Sequence, residues 1–109
     1  WTSNRWNVHL GSTACTGDAI SGGKVTCEQV NRPDITLDGF IPGTSRIKLD
    51  YAEIVARSNL GADLAGPAGC MSAVSDPECA EVFTSFGLVH PLGTATAAAT
   101  QTAFSLVNN

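Results

Sequence analysis

Four cysteines in two locally spaced pairs, Cys15/Cys27 and Cys70/Cys79, constrain this chain more than any other feature. Such spacing is how short-loop disulfides look in sequence. The competing reading, one metal ion held by four thiolates, needs close pairs of the C-x2-C kind, and neither spacing provides one. We therefore expect two disulfides, Cys15–Cys27 and Cys70–Cys79, and with them an oxidising compartment: periplasmic, secreted or at the cell surface. The staples matter because 109 residues make one modest domain. A chain of that size buries a small share of its surface, so its core alone leaves a thin margin.

Charge narrows the partners. The net charge is −4, and the six basic residues, Arg5, Lys24, Arg32, Arg46, Lys48 and Arg57, are scattered along the chain. Nucleic acid binding requires a concentrated basic face to neutralise phosphates, which this sequence lacks. No apolar run approaches the roughly 20 residues that span a bilayer, so no transmembrane segment is expected. The sequence starts at Trp1, without an initiator methionine or a signal-peptide pattern. It reads as a mature or processed product, or as part of one.

Along the chain, "RWNVHLGS" alternates, with Trp6, Val8 and Leu10 on one side and Arg5, Asn7 and His9 on the other. That is the period-2 pattern of a half-buried strand. Residues 11–23 read as a loop closed at its base by Cys15 and Cys27, and "KVTCEQV" as a short strand. "DITLDGF", "IPGT" and "SRIKLD" predict strand, turn and strand, a hairpin over 34–49 with Ile47 and Leu49 inward. Asp50 and Glu53 have the spacing of a capping box opening a helix to about Ser58. A second helix is marked by Asp76 as cap, Pro77 at the first helical position and Glu78 and Glu81 near the N-terminus. Its apolar face is Val82, Phe83 and Phe86, and Gly87 ends it. After the Ala/Thr-rich "GTATAAATQTA", "TAFSLV" predicts a last strand with Phe104 and Leu106 on one face. The sum is one domain, mainly β: a small antiparallel β-sandwich or open sheet with two short connecting helices and two disulfides. Five strands make a thin sandwich, so further strands from elsewhere are expected.

Catalytic signatures are missing. There is no G-x-S-x-G nucleophile elbow and no G-x-x-x-x-G-K-[ST] phosphate loop. Asp34, Asp38 and Asp50 read as strand-edge and cap residues, so we do not expect an enzyme. The two histidines, His9 and His90, lie far apart in sequence. His9, facing away from Trp6, Val8 and Leu10, reads either as a solvent-facing strand residue or as one ligand of a metal site. An N-rich copper site needs two or three imidazoles or equivalents, and from spacing alone this one is incomplete.

Three segments, "WNVHLGSTAC", "NRPDITLDGF" and "GCMSAVSDPECAEVFTSFGL", together resemble the C-terminal half of the MbnP-like proteins, the methanobactin-associated copper-binding proteins of bacteria. The resemblance runs from about Trp6 to Leu88 in the same order. It implies a β-rich fold in the periplasm or outside the cell, and a bound copper held by histidine together with a tryptophan oxidised to kynurenine. It also implies a dihaem partner, similar to cytochrome c peroxidases, that performs the oxidation. His9 stands at the histidine of the His-Leu-Gly-Ser-Thr motif, so the metal-ligand role passes to His9. Trp6 and Trp1 are both candidates for the oxidised tryptophan, and the resemblance assigns that role to neither; strand alternation puts Trp6 on the face opposite His9. The family carries a longer N-terminal portion, so residues 1–109 are expected to be the C-terminal portion of a larger β-rich protein.

The function these readings support is non-enzymatic copper acquisition or storage. The alternative is a disulfide-stapled surface or filament subunit with no metal.

Overall fold

Short apolar stretches interrupted by glycine and proline yield short elements. The computed structural model describes residues 5–64, 66–91, 94–95 and 100–108. In chain order they form β1 (Asn7–Val8), β2 (Thr13–Thr16), β3 (Thr26–Gln29), β4 (Ser45–Leu49), α1 (Tyr51–Val55), β5 (Gly69–Cys70), α2 (Cys79–Ser85), β6 (Leu88–Val89), β7 (Thr94–Ala95) and β8 (Phe104–Asn108). The strands pair two by two: β1 with β5 in parallel, and β2–β3, β4–β8 and β6–β7 antiparallel. The mainly β class, the two short helices and both disulfides are as the sequence predicts.

The hairpin over 34–49 does not form. Its turn does: Thr44 and Ser45 both donate to the Ile41 carbonyl, at 3.1 and 2.8 Å. What is missing is the first strand, because 34–40 carries no strand pairing. Pro33 removes a donor ahead of that segment, and Gly39 at φ 79° turns the chain before a strand can lengthen. β4 instead pairs with the distant β8, setting Ile47 opposite Leu106 and Leu49 opposite Phe104. Nor do Ile47 and Leu49 point inward; they are 60% and 40% exposed. An alternating strand fixes which residues share a face, but not that the face is covered.

α1 starts where the sequence places it, whereas α2 starts at Cys79, two residues after the predicted Pro77, with Glu78 at its N-cap. Asp50 accepts from the Ala52 amide at 3.0 Å and caps α1. Its own amide donates to Ala103 at 2.9 Å, so the Glu53 half of the capping box is replaced by a tie to the chain ahead of β8. α1 ends at Val55, with one further turn closed by Ser58 to Val55. Ahead of α2, Asp76 accepts from Glu78 at 3.0 Å and from Met71 at 2.8 Å, so one carboxylate holds both the helix entrance and the loop leading to it. Gly87, at φ 75°, closes the helix by donating to Thr84.

The core is small and lies around α2. Ile54, Cys70, Cys79, Val82, Phe83, Leu88 and Ala103 form it, with Trp6, Leu10, Val55, Phe86 and Phe104 packed against it. Ser85 is fully buried and satisfied, donating to the Glu53 carbonyl at 3.0 Å and accepting from Arg57 at 3.2 Å. Its carbonyl takes the Thr102 and Ala103 amides at 2.9 and 3.1 Å, which ties β8 to α2.

Two predictions follow from this distribution. Phe83→Ala, at a fully buried position, costs about 3–5 kcal/mol, whereas Ile47→Ala changes stability by about 0.5 kcal/mol or less; urea denaturation midpoints measure both. The second concerns acid. The hydrogen bond from Lys48, 2.8 Å from Asp50 Oδ2, holds the Asp50 carboxyl below the usual carboxylate range. A depressed folded pKa means stability that is complete above the unfolded value and lost as pH falls through the folded one. Asp50→Asn removes that part of the acid limb in melting temperature against pH and leaves the neutral-pH slope unchanged.

Candidate functional site

His9 sits just past β1, and its backbone is fixed from the other side of the domain. Its amide donates to the Cys70 carbonyl at 2.8 Å, continuing the parallel β1–β5 pairing. Its carbonyl accepts the Ser72 hydroxyl. That same hydroxyl oxygen accepts the Gly11 amide at 2.9 Å, and the Gly11 carbonyl accepts the Asn31 side-chain amide at 2.7 Å. Ser72 and Asn31 are 2% and 4% exposed, so these bonds are sheltered from water. The imidazole itself is exposed. It lies over Gly11, where a Cβ would stand 3.3 Å from His9 Nε2, so glycine leaves the ring room.

Close approach of β1 to β5 requires Gly69. At φ 94° it takes a conformation that L side chains avoid. A Cβ there would lie 2.2 Å from the Asn7 carbonyl oxygen and 2.4 Å from its nitrogen. The loop behind β5 is built as tightly. Cys70 and Cys79 are bonded and both fully buried, and the Ser72 amide points to Cys79 Sγ at 3.2 Å. The second disulfide joins Cys15 to Cys27, directly opposite each other in β2–β3. That pairing turns part of the expected 11–23 loop into the strand β2.

His90 does not join His9. Its Nε2 lies 3.0 Å from the Ala73 carbonyl, which can only accept, so that nitrogen carries the proton. Its ring meets Phe83 edge-on at 5.1 Å. Trp6 packs against the core cluster and lines a cavity whose lining excludes His9. Trp1 lies outside the described residues.

A copper ion would find one free imidazole here. All cysteines are in disulfides, and among the described residues no three His, Cys, Asp or Glu side chains gather where they could hold a metal. These residues do not by themselves fit a copper site, which needs further nitrogen ligands. Ser72, Asn31 and Gly69 escaped the sequence reading. Gly69 had one legible signal, a glycine directly before a disulfide cysteine; a buried serine or asparagine that braces a distant backbone has none.

The site and fold thus define a disulfide-stapled, mainly β domain that presents an exposed imidazole on a braced strand end. Among solved structures, the chain matches MbnP from Methylosinus trichosporium with a TM-score of 0.84 and 34% sequence identity, over 97% of this chain and 39% of that one. The likeness to MbnP read from the motifs therefore holds in three dimensions, for a chain spanning 39% of that relative's length. No family model matches the chain, and no curated protein does. Among the described residues no helix is long and apolar enough to cross a membrane, and the two disulfides suit an oxidising compartment.

Ser72→Ala tests the brace. It strips a partner from the His9 carbonyl and the Gly11 amide and costs about 1–3 kcal/mol. Amide hydrogen exchange at Gly11 accelerates, and His9 backbone resonances shift more than those of β4.

Proposed function

We propose that this chain is the C-terminal portion of a periplasmic or secreted copper-binding protein, non-enzymatic, that contributes His9 as one ligand. The observation that carries the reading is the match to MbnP over 97% of the chain, with His9 exposed on a backbone braced at both ends. An imidazole suits copper, and a pre-fixed strand end spares the ligand the cost of being ordered on binding. The remaining ligands come from the rest of a longer polypeptide. The same reading supplies a tryptophan-derived kynurenine as a further ligand, made by a dihaem partner that acts as oxidant. Copper is cargo for acquisition or storage, not a catalyst.

Native protein titrated with copper binds a single ion per complete polypeptide, and His9→Ala abolishes or severely weakens that binding. His90→Gln, at the ring held by Ala73 and Phe83, leaves it intact. Intact mass of the native protein shows loss of one carbon and gain of one oxygen on a tryptophan. Copper binding that is indifferent to His9→Ala sinks the reading.

A further inference from the structure

The two edges of the β4–β8 ribbon differ. The Asp50 amide donates to the Ala103 carbonyl at 2.9 Å, one step beyond the Leu49–Phe104 pair. Antiparallel ladders alternate hydrogen-bonded and non-hydrogen-bonded pairs. Arg46–Val107 and Lys48–Ser105 therefore bond across the ribbon, whereas Ser45, Ile47 and Leu49 turn their backbone N–H and C=O groups outward. The Ser45 amide agrees with this phase, donating away from β8 to Ile41 at 2.8 Å. On the far edge, Phe104 also faces outward, and the Gln101 side chain meets it. Gln101 Oε1 accepts from the Phe104 amide and Nε2 donates to its carbonyl, both at 2.8 Å. That side chain takes the place of a neighbouring strand, so β8 is closed at its start. Among the described residues no group does this for the outward amides and carbonyls of Ile47 and Leu49. They form an open strand edge.

The side chains along that edge select an occupant. Ile47 and Leu49 lie on the face shared with Leu106 and Phe104, and Phe104 packs against the core. The apolar surface thus runs from the core out to a bare margin. Arg46 and Lys48 lie on the opposite face. Lys48 is matched by Asp50, but Arg46 has no ion-pair partner among the described residues. A second copy of β4 fits poorly. Any antiparallel self-pairing through Ile47 or Leu49 that overlaps by more than one residue sets Arg46 or Lys48 opposite Arg46 or Lys48. Like charges directly opposite are destabilising. The edge suits instead a strand with apolar residues at alternate positions and a carboxylate between them.

We propose that an extended segment of the longer polypeptide adds to the open edge of β4 as a third strand, its apolar side chains beside Ile47 and Leu49 and an acidic one beside Arg46. The match to a solved chain of which this one covers 39% supports a segment from that source. The inference rests on the reading of this chain as part of a longer polypeptide and is independent of copper.

Amide hydrogen exchange on the complete native polypeptide, followed by NMR, tests it. A bare ribbon gives alternate protection, with Arg46 and Lys48 slow and Ile47 and Leu49 fast. An added strand is expected to make all of these amides slow. Arg46→Glu, at an exposed position, turns attraction into repulsion and speeds exchange at Ile47 and Leu49 roughly two- to tenfold, with the Phe83 amide unchanged. Ile47→Ala is near neutral in residues 1–109 by themselves; under an added strand it speeds exchange at Leu49 at least about tenfold. Alternate protection in the complete polypeptide overturns the proposal. So does protection that rises with protein concentration, the mark of a second copy, or that Arg46→Glu leaves unchanged. Copper titration of the same sample reads His9 separately: copper bound through His9 beside an open edge sinks the third strand alone. An intact native mass of residues 1–109 and no more sinks both readings.

Discussion

The parallel contact between β1 and β5 is the constraint on which the rest of the site depends. It is two residues long, far too short to persist on its own hydrogen bonds. It persists because β5 is not free to move. Cys70 is covalently tied to Cys79 at the start of α2, and the intervening loop is closed by the buried Asp76 carboxylate and by Ser72. By the loop-entropy model a disulfide over so short a loop contributes on the order of 2–3 kcal/mol. It also converts α2, the helix that contributes Val82 and Phe83 to the core, into an anchor for a strand end that would otherwise fray. Asn7, His9 and Gly11 then hang from that anchor through Ala68, Cys70 and Ser72. The staple is thus a brace for the segment that presents the imidazole.

Where the sequence could be read, the signals were local. Asp50, Asp76 and Gly87 act within a few residues of themselves, so cap and stop chemistry placed the start of α1 and the end of α2, and put the start of α2 two residues early. The cysteine spacings paired correctly for the same reason. Strand partnership is not local. "DITLDGF" and "SRIKLD" flank a turn that forms, yet β4 takes its partner from residues more than fifty positions later. What decides between the two is the tie of Asp50 and Ser85 to Ala103, a pair of backbone contacts with no residue-type signature. The brace on His9 was hidden in the same way. Ser72 reads as an ordinary loop serine, and only its burial and its two backbone partners reveal what it does.

Exposure carries a second lesson. Ile47, Leu49 and Val107 on the β4–β8 ribbon, with Phe40 and Ile41 in the turn before it, are between 38% and 60% exposed. A two-stranded ribbon is marginal alone and needs a third strand or a packed layer. The radius of gyration, 15.9 Å, exceeds the roughly 13 Å of a globular domain near this length. Both facts accord with a chain that spans 39% of its structural relative. Ile47 and Leu49 share one face of the ribbon with Leu106 and Phe104, while Val107 lies opposite Arg46 on the other.

On the proposed function, the bare apolar positions and the single candidate ligand share one explanation, a fold continued by a longer polypeptide. A metal site assembled across two portions of a fold takes its rigidity from both, so each portion must fix its own ligand before the halves meet. If His9 is such a ligand, as proposed, its construction suits it: its backbone is held by buried, disulfide-anchored groups while the residue is exposed. Had the imidazole been satisfied within the chain, as His90 is by Ala73 and Phe83, it would have to break those contacts to bind. The contrast between the two histidines is therefore informative in itself. One is built into the packing around α2, and the other is held out from it on a backbone that has been made stiff.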